Sequence, residues 1–162
     1  MKKYRFTGET KIVNGVTLHR IVAVCSFSNV KEGDLGGWIE SEENLSHNGD
    51  CWVYDEATVY GNAFVCDNAQ VHGNASVYDT TRVYDNAEVY GDAEVHGNAW
   101  VYNSAKVYDN AEVYGNAEVY DAALVYDAAE VYDNAEVYDN AEVHGNAQVR
   151  YDTIVCGNSK IC

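Results

Sequence analysis

Apolar residues recur along this chain with a period of six. From Val53 onward the phrase VYDEAT, VYGNAF, VCDNAQ, VHGNAS, VYDTTR, VYDNAE continues unbroken, with valine at every sixth position as far as Val155 and Ile161 opening the next unit. An α-helix cannot use this pattern, because six steps of about 100° turn each valine about 240° from the last and no apolar stripe forms. Read with the two-residue period of a strand, the quartet Ala-x-Val-Tyr places Ala and Val on one face and x and Tyr on the other. The Asp-Asn or Gly-Asn pair that follows suits a corner, since Gly and Asn tolerate positive φ and Asn or Asp side chains hydrogen-bond nearby backbone. Each hexad therefore reads as one four-residue strand and one turn.

A strand that short is unstable alone, so the hexads must stack in parallel, each pairing with the coils about 4.8 Å above and below it. Valine and alanine fill the inside, where each buried valine contributes about 1.5–3 kcal/mol. Tyrosine, at the outward position, adds β-propensity and stacking between coils. The predicted fold is all-β, a parallel β-helix over residues 47–162 behind a β-rich N-terminal cap over residues 1–46. Within the cap, Asn14-Gly15 lies between the β-prone runs of KIVNGVTLHRIVAVC and signals a hairpin, while Ile39 and Leu45 mark an irregular first coil.

The phrase [Val/Ile]-x-[Asp/Gly]-Asn-Ala-x resembles the hexapeptide repeat of left-handed β-helix proteins, from Val53 to Cys162 without interruption. The resemblance implies three hexads per eighteen-residue coil and a single-stranded, left-handed solenoid of about six coils. The stretch GDLGGWIESEENLSHNGDCWVY, Gly33 to Tyr54, is similar to the entrance of uncharacterised hexapeptide-repeat proteins of bacteria and phages. That likeness implies no activity.

On a three-hexad coil the outward residues sort into three faces. The first carries Trp52/Tyr54, Gln70/His72, Glu88/Tyr90, Lys106/Tyr108, Leu124/Tyr126 and Glu142/His144, a mixed surface. The second is acidic through Glu94, Glu112 and Glu130. The third gathers Phe64, Arg82, Tyr84, Trp100, Tyr102, Tyr120 and Tyr138, the richest set of large apolar groups, and exposed clusters of that kind mark contact sites. This third face is the expected partner-binding surface. The repeat runs to Cys162 with no charged helix or loop after it, so Ile154, Val155, Cys156, Ile161 and Cys162 are expected to form a junction between subunits.

Charge narrows the partners. With 26 acidic against 10 basic residues and a formal net charge of −16, the chain repels phosphate backbones and anionic membranes, so nucleic acid and lipid are excluded and a protein with a basic surface fits. No apolar run reaches the roughly 18 residues of a membrane span, and MKKYRFTGET lacks the apolar stretch of a signal peptide. A cytoplasmic protein is expected, in the host cytoplasm if phage-encoded. The five cysteines, Cys25, Cys51, Cys66, Cys156 and Cys162, show no metal-type spacing and read as free thiols.

Candidate chemistry is sparse. Many left-handed β-helix proteins are acyltransferases whose working histidine and coenzyme contacts involve loops or partner coils, and here no hexad from Val53 on is interrupted. His72, His96 and His144 stand at the tyrosine position and read as surface substitutions, while His19 and His47 have no visible carboxylate or nucleophile partner. No metal site and no cofactor is expected, since the stacked glutamates lack any calcium-loop spacing. The leading reading is a non-enzymatic, self-associating scaffold that presents aromatic and acidic ladders to a protein. An acidic decoy imitating a phosphate backbone, as in a phage inhibitor of a host enzyme, is the alternative, followed by an acyltransferase-like or small-ligand site in clefts between subunits.

Overall fold

In a computed structural model, which describes residues 2–162, backbone pairing joins residues eighteen apart. Val89 pairs with Val107, Val95 with Val113 and Val101 with Val119, each in parallel register. Three hexads thus complete one coil, and the coils stack into a β-solenoid with three parallel sheets as its sides. The first side is a seven-stranded sheet running from Trp52–Val53 to Lys160–Ile161, the third is six-stranded, and the second has nine strands because the N-terminal segment extends it.

Except at Thr81, the interior from Val53 to Val143 is valine and alanine. From Val53 to Val143 the inward valines are fully buried, as is nearly every alanine that precedes the outward position. Thr81 takes one alanine site, and its hydroxyl donates to the Tyr78 carbonyl at 2.8 Å, so the buried hydroxyl itself is paired.

Regular strand geometry covers only two residues per hexad, shorter than the four read from the pattern. The flanking residues serve the ladder and the corner at once. Tyr102 donates its amide to Val119 of the next coil at 3.0 Å, while its carbonyl accepts the Ala105 amide at 3.3 Å across the turn. Positive φ falls on the first corner residue, such as Asp109 at 58° or Asp127 at 60°, and not on the asparagine after it. Aspartate fits because its carboxylate accepts the backbone amide one coil on, as Asp127 does from Gly145 at 3.0 Å and Asp139 from Gly157 at 2.9 Å. Asparagines stack instead on their own copies, as in the Asn98, Asn116 and Asn134 ladder with bonds of 3.0 and 3.1 Å.

At the N-terminal end, β1 (Tyr4–Val13) and β2 (Val16–Ala23) form an antiparallel hairpin through Asn14 and Gly15, at φ 51° and 82°. β3 (Leu35–Ile39) joins the two regimes, antiparallel to β2 and parallel to Thr58–Val59. Lys3 Nζ donates to the Cys51 carbonyl at 2.6 Å and Tyr4 Oη to the Leu45 carbonyl at 2.7 Å, which ties the segment to the first coil. This covering corrects one expectation of the pattern. Trp52 and Tyr60, at outward positions, are buried: Phe27 and Tyr4 pack edge-on against Trp52 at 5.4 and 6.1 Å, and Leu18 and Trp38 pack with Tyr60. The N-terminal segment therefore occupies the start of the first two sides.

Outside, the aromatic rings stack in columns. Successive rings on the first side (Tyr90, Tyr108, Tyr126) lie 4.9 and 5.0 Å apart, and Tyr114 and Tyr132 on the second lie 4.9 Å apart with planes parallel. Partial burial, together with neighbouring phenols or carboxylates, pushes the Tyr108 and Tyr114 hydroxyls up to about 12.

Two outcomes are expected from this packing. A Cβ on Gly115, at φ 73°, would sit 2.8 Å from the Asp133 amide nitrogen, so Gly115→Ala should cost about 1–2 kcal/mol in urea unfolding. Gly115→Asp should cost less than half as much, because its carboxylate can take that amide; equal losses would refute the corner account. In alkali the unfolded chain loses tyrosine protons near pH 10 while the folded chain holds Tyr108 and Tyr114 protons to about pH 12. The folded state then binds more protons, so stability must fall as pH rises across that window. Tyrosinate absorbance and circular dichroism should change together there, and full ionisation near pH 10 with the fold intact would contradict the stacking.

Candidate functional site on the third face

The register sets Phe64, Arg82, Trp100, Glu118, Glu136 and Ile154 in one outward column. Beside it runs the column at the tyrosine position: Cys66, Tyr84, Tyr102, Tyr120, Tyr138 and Cys156. Tyr84, Tyr102, Tyr120 and Tyr138 stack at 4.9, 4.9 and 4.8 Å. The Tyr102 and Tyr120 hydroxyls donate to the Glu118 and Glu136 carboxylates at 3.0 and 3.1 Å, so the two columns are bonded to each other.

Near its upper end the aromatic ladder is broken. Cys66 stands where a tyrosine would stack on Tyr84, and the shorter side chain leaves a hollow of about 180 Å³ lined by Phe64, Cys66, Arg82, Tyr84 and Trp100. Trp100 is 39% exposed and meets the Tyr84 ring edge-on at 6.3 Å, with the Arg82 guanidinium 5.9 Å from its ring. Burial and the neighbouring Asp67 carboxylate push the Cys66 thiol up to about 12, so at neutral pH it is a packing group and not a thiolate nucleophile.

The charged groups of this outward column form no ion pairs among the described residues. Among the described residues Arg82 makes no ion pair, whereas Lys106 pairs with Glu88 at 2.9 Å and Lys160 with Glu142 at 2.8 Å on the first side. Glu118 and Glu136 accept tyrosine hydroxyls and, among the described residues, meet no cation.

Glu94, Glu112 and Glu130 lie in direct register on the second side, with Tyr78 and Tyr114 donating to Glu94 and Glu130 at 3.1 and 3.4 Å. His96 is sandwiched between Tyr78 and Tyr114 at 4.9 and 5.0 Å, and His72 stacks on Tyr90 at 4.7 Å. Burial holds the His72 imidazole below its ordinary pKa. Ile154 and Cys156 belong to the third face, Val155 points inward and is buried, and Ile161 occupies the inward position on the first side. The five thiols are free. Among the described residues no cluster of His, Cys, Asp and Glu is arranged around a metal, and no helix is long and apolar enough to cross a membrane.

Sequence reading missed the hub at Glu56, whose carboxylate accepts from Trp38 Nε1 at 2.9 Å and pairs with Arg20 and Lys11 at 3.2 and 3.4 Å. Its partners come from three separate strands, so no local motif announces it. The hollow beside Cys66 was visible only as a lapse in the tyrosine column.

No family model matches the chain. A curated protein of Escherichia coli (strain K12), the uncharacterized acetyltransferase YdcK, is 34% identical over 67 residues, which is 36% of this chain and 21% of that protein. The chain spans about a fifth of the length of the relative it matches.

Proposed function

We propose that this β-solenoid is a non-catalytic interaction module, a rigid rod that self-associates and offers its third face to a protein surface. The supporting observation is the hollow beside Cys66 together with exposed Trp100, an apolar site rimmed by Arg82 on a face the N-terminal segment leaves open. Aromatic and arginine side chains grouped around a small pocket are the composition of energetic centres in protein interfaces. The acidic columns elsewhere favour basic surfaces and speed their encounter.

A photo-crosslinking residue tests the face. Trp100→p-benzoylphenylalanine should give discrete protein adducts that Arg82→Glu removes, while the same residue at Glu112 on the second side should give none. Equal labelling from both positions would rule the third face out.

The likeness to YdcK, a protein named as an uncharacterized acetyltransferase, favours a second reading, acyl transfer, which we place in clefts between subunits. It requires saturable binding of acetyl-coenzyme A, measured by isothermal titration at a protein concentration where copies associate. Absence of a binding heat under those conditions would end this reading.

A further inference from the structure

The third face reads the same from both ends in terms of complementarity. Turned about a two-fold axis between the Trp100 and Glu118 rungs, the column Phe64, Arg82, Trp100, Glu118, Glu136, Ile154 meets itself in reverse. Phe64 then faces Ile154, Arg82 faces Glu136 and Trp100 faces Glu118. We infer that the third face is a self-complementary interface through which two copies of the chain pack antiparallel, face to face. The inference rests on the third face being the docking surface and names its occupant.

Charge supports this arrangement. Arg82 lacks an ionic partner among the described residues and lies three rungs from Glu136 in its own chain, roughly 15 Å at one coil per rung, too far to pair internally. The two-fold brings the two together twice. Opposite Glu118, Trp100 places an indole N–H, a donor with no acceptor role, against a carboxylate that already accepts Tyr102.

Shape agrees with charge. Ile154 is 57% exposed and would stand opposite Phe64 at the rim of the hollow of about 180 Å³ lined by Phe64, Cys66, Arg82, Tyr84 and Trp100, setting apolar groups together. The tyrosine column follows the same symmetry, with Cys66 facing Cys156, Tyr84 facing Tyr138 and Tyr102 facing Tyr120. Such an isologous contact closes on itself and stops at two.

The other sides fail the same operation. Turning the second side about its centre sets Glu94 against Glu112, and the N-terminal segment already buries Thr58 and Tyr60 there. On the first side the axis falls on Lys106, so two lysines meet, and Trp52 is buried. Slipping the third face by one rung would set Phe64 against Glu136 and leave Ile154 uncovered.

The contact is small, roughly 25 by 13 Å for six rungs of four residues. That lies below the roughly 1,200 Å² of total buried surface typical of stable complexes, so the pair is reversible and concentration-dependent.

Sedimentation equilibrium of the whole chain tests the arrangement. The wild type should move from monomer to dimer as concentration rises and go no further. Arg82→Glu and Glu136→Arg should each weaken association at least tenfold, and the double exchange should restore it, with circular dichroism confirming the solenoid in each. Glu136→Arg is the discriminating case, because it lowers the net negative charge and would strengthen any non-specific association. A monomer at every concentration, or tighter association of Glu136→Arg, overturns the proposal.

A second measurement fixes the register. Diamide removes two electrons and two protons from a pair of facing thiols, forming the disulfide and its own hydrazine. At pH 9, where a small fraction of the raised Cys66 thiol is ionised, it should slowly link Cys66 of one copy to Cys156 of the other in the variant Cys25→Ser, Cys51→Ser, Cys162→Ser. These two residues lie five rungs apart within one chain, so a Cys66–Cys156 link identified by mass spectrometry is intermolecular; links of other composition overturn the register. If the chain stays monomeric while position 100 still crosslinks to another protein, the self-pairing fails and the docking face survives. If neither is seen, both fail.

Discussion

Everything in this molecule follows from backbone hydrogen bonds that repeat every eighteen residues. The amide of each outward residue reaches the alanine carbonyl one coil on, as Trp100 does to Ala117 at 3.0 Å, and the tyrosine amide reaches the valine carbonyl. Because the register never slips from Val53 onward, each side chain has the equivalent residue of the next coil as its neighbour. Valine meets valine inside, and ring meets ring outside. A residue type that tolerates its own copy at about 4.9 Å is stabilised in such a fold, and one that repels its copy is penalised.

That rule explains how an acidic surface is accommodated. Glutamates stacked on glutamates repel, yet tyrosine hydroxyls reach Glu94, Glu118, Glu130, Glu136 and Glu142 at 3.0 to 3.4 Å. Each bond spans sixteen residues, from the tyrosine of one rung to the glutamate of the next. The aspartates at the first corner position are handled differently, their carboxylates being held by a backbone amide of the following coil, as at Asp127, Asp133 and Asp139. Charge is thus distributed along hydrogen-bonded rails.

Where the ladder is regular, the surface offers little to distinguish one rung from another, and only its irregular places set rungs apart. The third face gathers three of them within three rungs: a cysteine in place of a tyrosine, an arginine without an ion pair among the described residues, and an exposed tryptophan. The N-terminal segment adds asymmetry by burying Trp52 on the first side and Tyr60 on the second, while Phe64 on the third stays half-exposed. The covered sides are the ones whose two-fold self-contact would set like charges together.

The sequence alone determined the period, the inward valines and alanines, the corners and the hairpin at Asn14-Gly15, because each is a local consequence of side-chain size and backbone freedom repeated many times. It also determined which residues share a face, once the coil closes at eighteen. Only the tertiary structure decided which outward residues are truly outside. Trp52 and Tyr60 carry the same pattern as their exposed counterparts and differ only in what folds over them from far along the chain. The Glu56 hub and the hollow beside Cys66 are likewise products of packing between segments, where distance in space and not spacing in sequence selects the partners.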